Sequence, residues 1–139
     1  MKKLLPLMTI IMLTGLFVAA CQPAPTVDDY ALGSDAYVEA LDILIMESFP
    51  VQVSVLVSGY LPDGCTELHE ITVEQQQSTF ILKLTSRRPT GEIACTEALV
   101  PFEETVPLDV YGLEAGTYMV VAQDVAEIFT LDVDNILQP

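Results

Sequence analysis

The chain reads as all-β, a Greek-key sandwich of about seven or eight short strands that follows a cleaved signal segment. Three observations predict this. Apolar and polar residues alternate through Val51, Val53, Val55 and Val57, through Phe80, Leu82 and Leu84, and again through Val106, Leu108 and Val110. Turn-forming residues recur about every ten positions between these runs. The stretch 36–134 has the length of one sandwich domain, roughly 100 residues.

Taken in order, Tyr37–Glu47 is the first expected strand, since Ile43, Leu44 and Ile45 are consecutive and Pro50 follows soon after. Val51–Ser58 is the second, with only Leu56 breaking the period of two. Leu61-Pro62-Asp63-Gly64 supplies turn chemistry before Cys65. Leu68, Ile71 and Val73 lead to a hairpin tip at Gln75–Ser78. Phe80, Leu82 and Leu84 form the returning strand, which ends in a loop at Arg87-Arg88-Pro89-Thr90-Gly91. Cys95–Val100 is expected to start the next strand, and Val106–Val110 to continue the alternation. A last hairpin turns at Gln123-Asp124 and returns through Phe129, Leu131 and Val133 on one face.

Between the last strands lies Leu113-Glu114-Ala115-Gly116-Thr117-Tyr118-Met119-Val120-Val121. It resembles the tyrosine corner of immunoglobulin-like sandwiches, in which a tyrosine hydroxyl bonds back across the preceding turn. The resemblance implies that Tyr118 covers the core with its ring and finds a backbone partner for its hydroxyl. Gly59–Cys65 and Ala94–Val121 also resemble segments of uncharacterised bacterial secreted lipoproteins, which implies the architecture and no activity.

The N-terminus carries a second signal. Lys2 and Lys3 precede an apolar run from Leu4 to Val18, and Val18-Ala19-Ala20-Cys21 closes it. The run is short for a spanning helix, and Pro23 and Pro25 follow at once. The four closing residues resemble the lipobox of bacterial lipoproteins. That resemblance implies removal of residues 1–20, a diacylglyceryl group on Cys21, and anchoring to a membrane outside the cytoplasm. Two acyl chains suffice for stable anchoring, since each buried CH₂ contributes about 0.8 kcal/mol. Residues 21–35 then read as a Pro-containing tether reaching up to roughly 40 Å at ~3.1 Å per residue. Residues 135–139 read as a C-terminal tail.

Removing Lys2 and Lys3 takes the formal charge of the chain from −15 to −17, leaving Lys83, Arg87 and Arg88 against twenty carboxylates. Such a surface does not suit nucleic acid or an anionic bilayer, both of which are bound through Lys and Arg. The bulk of the carboxylates is expected to be a solvated, self-repelling face.

With Cys21 assigned to lipid, Cys65 and Cys95 remain as an even pair in an oxidising compartment and are expected to form a disulfide. No CxxC spacing supports a zinc or redox role. His69 is the single histidine, and nothing near it has the spacing of a nucleophile elbow or metal motif. Glu103-Glu104 and the Glu67/Glu70 pair are weak acid–base candidates in so acidic a chain. Asp132-Val133-Asp134-Asn135 is a weak calcium suggestion that lacks the glycine and distal glutamate of a known loop. Catalytic residues, metal ligands and cofactors are therefore not expected. Arg87 and Arg88, the one concentrated positive charge, are the candidates for contact with a partner's carboxylate or phosphate.

The expected function is that of a lipid-anchored, non-enzymatic envelope domain, held to a membrane through Cys21, with a possible envelope protein as partner. The alternatives are an inhibitor-like or adaptor domain acting on an envelope enzyme, and a weak calcium-dependent binder.

Overall fold

The computed structural model of the protein describes residues 29–137. Eight strands form there: β1 (Tyr30–Gly33), β2 (Tyr37–Met46), β3 (Gln52–Leu61), β4 (Glu67–Gln76), β5 (Thr79–Pro89), β6 (Val100–Leu108), β7 (Gly116–Ala122) and β8 (Val125–Leu131). They make two sheets, β2-β3-β6 and a five-stranded sheet of β4, β5, β1, β7 and β8. The all-β sandwich expected from the sequence is the observed fold.

The alternating positions explain why two sheets close on each other. Val53, Val55 and Val57 of β3 point inward with Val106 and Leu108 of β6, and they meet Phe80, Leu82 and Leu84 of β5 in one buried cluster. Each such side chain contributes roughly 1.5–3 kcal/mol on full burial. Val120 and Ala122 of β7 and Phe129 and Leu131 of β8 complete the core. The rings of Phe80, Tyr118 and Phe129 lie 5.5–6.3 Å apart, centroid to centroid.

Strand β5 organises the larger sheet. β4 pairs along one edge as an antiparallel hairpin partner. Two strands share the other edge: β7 runs parallel to β5 over Thr79–Leu82, and β1 antiparallel to it over Ser86–Pro89. The chain therefore descends through β1, crosses at residues 34–36, and continues down the other sheet as β2.

Four sequence expectations change here. The tether was expected to reach residue 35, but Tyr30–Gly33 are strand β1. The reason is distant: the buried Ser86 hydroxyl accepts from the Asp35 amide at 3.1 Å, and Thr90 donates twice to the Asp29 carbonyl. The tail was expected to start at 135, but Asn135 is fully buried. Arg87, Arg88 and Pro89 continue β5 rather than forming a loop, because β1 and β4 flank them. Cys95 sits in the connection before β6, which starts only at Val100. That connection is held by the disulfide and by the Gly64 amide donating to the Thr96 carbonyl, not by a strand ladder.

Two side-chain amides join the sheets at their margins by imitating a backbone. Gln123 in the β7–β8 turn accepts from the Val38 amide and donates to the Ala36 carbonyl, at 2.9 and 2.6 Å. Asn135 accepts from the Val51 amide at 2.7 Å and donates to the Val51 and Val110 carbonyls at 2.9 Å. Its own backbone bonds Gly112 and Leu113.

Candidate functional site

The register defines two ends of the sandwich. Tyr30 pairs with Pro89 at the upper end of β5, so the described chain begins there. Thr79, at the other end of β5, lies beside Met119 near the start of β7. The lower end thus gathers residues 49–51, 109–116 and 132–137. At about 3.3 Å per residue, the eleven residues of β5 separate the two ends by roughly 35 Å.

The upper end is tightly cross-linked. Cys65 and Cys95 form a disulfide, as expected, with Cα atoms 5.5 Å apart. One carboxylate oxygen of Asp63 accepts from the Cys65 and Thr66 amides and the Thr66 hydroxyl, at 2.9–3.0 Å. Its other oxygen pairs with Arg88. The Cys65 amide, the Thr66 donors and the Arg88 charge hold the Asp63 carboxyl below its ordinary range, against partial burial. Although Asp63, Cys65 and Cys95 lie close together, both sulfurs are tied up in the disulfide, so they offer no thiolate for a metal.

Arg87 donates through Nε and Nη2 to Glu67 at 2.9 and 2.8 Å, and its guanidinium lies 4.9 Å over the Tyr30 ring. Arg88 donates to Asp63. Both arginines expected to face a partner thus meet carboxylates of their own chain. They fasten β1, β4 and the Asp63 turn to β5.

The other sequence candidates are dispersed. His69 is exposed at the register shift in β4, and Glu67 and Glu70 flank it on that edge strand. Glu103 and Glu104 are exposed on β6, in the opposite sheet. Two of the three calcium candidates are engaged elsewhere: Asp134 accepts from the Ala115 amide at 2.8 Å, and Asn135 is the buried clamp. On the outer side, Glu39 accepts from the Tyr60 hydroxyl and pushes that phenol up. Tyr118 behaves as the tyrosine corner implies, its hydroxyl donating to the Glu114 carbonyl at 2.8 Å. Cys21 lies outside the described residues.

The lower end holds what sequence reasoning missed. Phe49, Ala115, Val133, Asp134, Ile136 and Leu137 line an open groove of about 700 Å³. Phe49, Val133, Ile136 and Leu137 are 41–57% exposed, an apolar cluster that a soluble surface normally avoids. The signal in the sequence was faint. Val133 was expected on one face with the buried Phe129 and Leu131, but β8 ends at Leu131 and Val133 turns outward, while Ile136-Leu137 sits in the short segment assigned to the tail. Asn135 fixes the geometry by pinning the 132–137 segment under β3, which turns its neighbours outward.

A family model for the ORF11 β-sandwich domain matches residues 55–133. The chain belongs to the ORF11 β-sandwich domain family. The match runs from within β3 through β8 and so includes the disulfide, the tyrosine corner and Val133 of the groove. Similar proteins are uncharacterised 10.2 kDa proteins of Herpetosiphon aurantiacus. The one in the HgiCIIM 5′ region is 34% identical over 94 residues, covering 68% of this chain and 98% of that protein. Those in the HgiBIM and HgiEIM 5′ regions are 37% identical over 84 residues, covering 60% of this chain and all of each relative. No solved structure matches the chain.

Proposed function

We propose that this ORF11 β-sandwich is an exported, lipid-anchored binding domain, non-enzymatic, held to a membrane through Cys21 and presenting its lower end to a protein partner. The observation that carries the reading is the polarity of the fold. The described chain starts at the upper end beside Pro89, and the exposed apolar groove opens at the opposite end. A tether attached above leaves the groove on the side away from its attachment. The Cys65–Cys95 disulfide suits an oxidising compartment. The scattered placement of His69 and the carboxylate pairs favours binding over catalysis.

The test is fractionation of cells producing the protein or its Cys21→Ser variant. The original should sediment with membranes, with acyl mass on residue 21 as the new N-terminus. The variant should move to the soluble fraction. Membrane retention of the variant, or a mature chain still beginning at Met1, removes the anchor.

A further inference from the structure

We infer that the lower groove docks a cationic amphipathic segment of another protein, its apolar side chains seated on Phe49, Val133, Ile136 and Leu137 and its Lys or Arg side chains facing the carboxylates around them. The inference rests on the binding-domain reading above and adds the chemistry of the partner.

The argument is one of charge distribution. Among the described residues the cations are Lys83, Arg87 and Arg88, all on β5. Each is paired within the chain, to Glu74, Glu67 and Asp63 respectively. The lower end therefore has no cation among the described residues to balance its acids. Asp134 lines the groove itself, Glu114 precedes the lining Ala115, Asp132 precedes the lining Val133, and Glu47 lies two residues before Phe49.

That combination selects among occupants. A second copy of this chain would bring the same carboxylates against the first, and like charges brought together oppose association. An anionic lipid surface is repelled for the same reason. A segment with apolar anchors and basic flanks satisfies both features, since the groove buries the anchors while the acidic rim speeds encounter and sets orientation. The groove is open and shallow, which suits side-chain anchors on a peptide better than an enclosed small molecule.

The test uses the whole processed chain as isolated from cells, reconstituted in neutral-lipid nanodiscs. The probes are three fluorescein-labelled synthetic peptides: leucine and lysine in amphipathic order, the same peptide with glutamate for lysine, and the same with serine for leucine. The leucine–lysine peptide should bind, and its affinity should fall as salt rises. Both analogues should bind at least about tenfold more weakly. Val133→Ser with Ile136→Ser should weaken the leucine–lysine peptide by at least about tenfold, and Glu47→Gln with Glu114→Gln should lower its salt dependence. Unchanged melting temperatures show that these exposed substitutions leave the fold intact. Ile128→Ser, on the exposed face of β8, should change nothing.

Equal binding of the glutamate peptide, indifference to the groove substitutions, or an equal loss with Ile128→Ser overturns the inference. So does concentration-dependent self-association that the groove substitutions abolish, or capture of the nanodisc-held chain by anionic but not neutral vesicles that the groove substitutions abolish. Membrane anchoring is read separately by fractionation. An anchored chain that ignores all three peptides sinks the groove inference and leaves the anchor standing, and a soluble chain that binds the cationic peptide does the reverse.

Discussion

Asn135 shows how much one side chain can hold. Its amide imitates a strand backbone toward Val51 and reaches Val110 as well, so three hydrogen bonds cross a sequence separation of up to 84 residues. Alanine there would leave the Val51 amide and two carbonyls without partners in a buried margin, and each unsatisfied group costs about 1–3 kcal/mol. Asn135→Ala should therefore lower unfolding free energy by about 3 kcal/mol or more in urea titration. Tyr118→Phe removes one bond to the Glu114 carbonyl and keeps the ring, so it should cost only about 1–2 kcal/mol. If the two variants melt alike, the clamp is not the stronger element. Tyr118 was legible because its motif is local. Asn135 looked like the first residue of a tail, since nothing within a few positions reveals that its amide is buried.

At the scale of elements, the β3–β4 turn couples electrostatics to folding. Asp63 is deprotonated more readily in the folded chain than its ordinary value of 3.8 implies, through the Cys65 amide, the Thr66 donors and Arg88. A folded-state pKa below the unfolded one makes a stabilising contribution that is complete above the unfolded value and disappears as pH falls through the folded one. As pH falls below about 4, thermal melting should show the protein losing stability relative to Asp63→Asn, which starts less stable at neutral pH. Parallel melting curves for the two would refute the assignment. The same turn carries the disulfide, whose closed loop of thirty residues is worth roughly 3–4 kcal/mol on the chain-entropy model. The cysteine pairing was readable from the even count. The strand expected at Cys95 was not realised, because a bridge and a single Gly64–Thr96 bond satisfy that segment where a ladder would have been needed.

For the whole molecule, charge is the dominant long-range term. With the cations of the described residues gathered on β5, the rest of that surface repels itself. Raising ionic strength from a few millimolar to about 0.15 M shortens the screening length to about 8 Å. That should raise the melting temperature by a few degrees, roughly 2–5 °C. A decrease would mean that the exposed ion pairs of β5 outweigh the repulsion, which their exposure argues against.

The sequence by itself determined which residues face inward. Side chains alternate strictly along a strand, so Val53, Val55, Val57, Phe80, Leu82 and Val106 declare their burial without reference to anything distant. It also determined the paired cysteines and the corner at Tyr118. Only the tertiary structure decided that β5 takes three partners, that Tyr30–Gly33 belong to the sheet, and that the 132–137 segment turns an apolar groove outward. Those features depend on hydrogen bonds between residues some fifty to ninety positions apart, such as Asp35 to Ser86 and Gln123 to Ala36. Local periodicity carries no information about them, because a strand's pattern states which face is buried and not which edge it will meet.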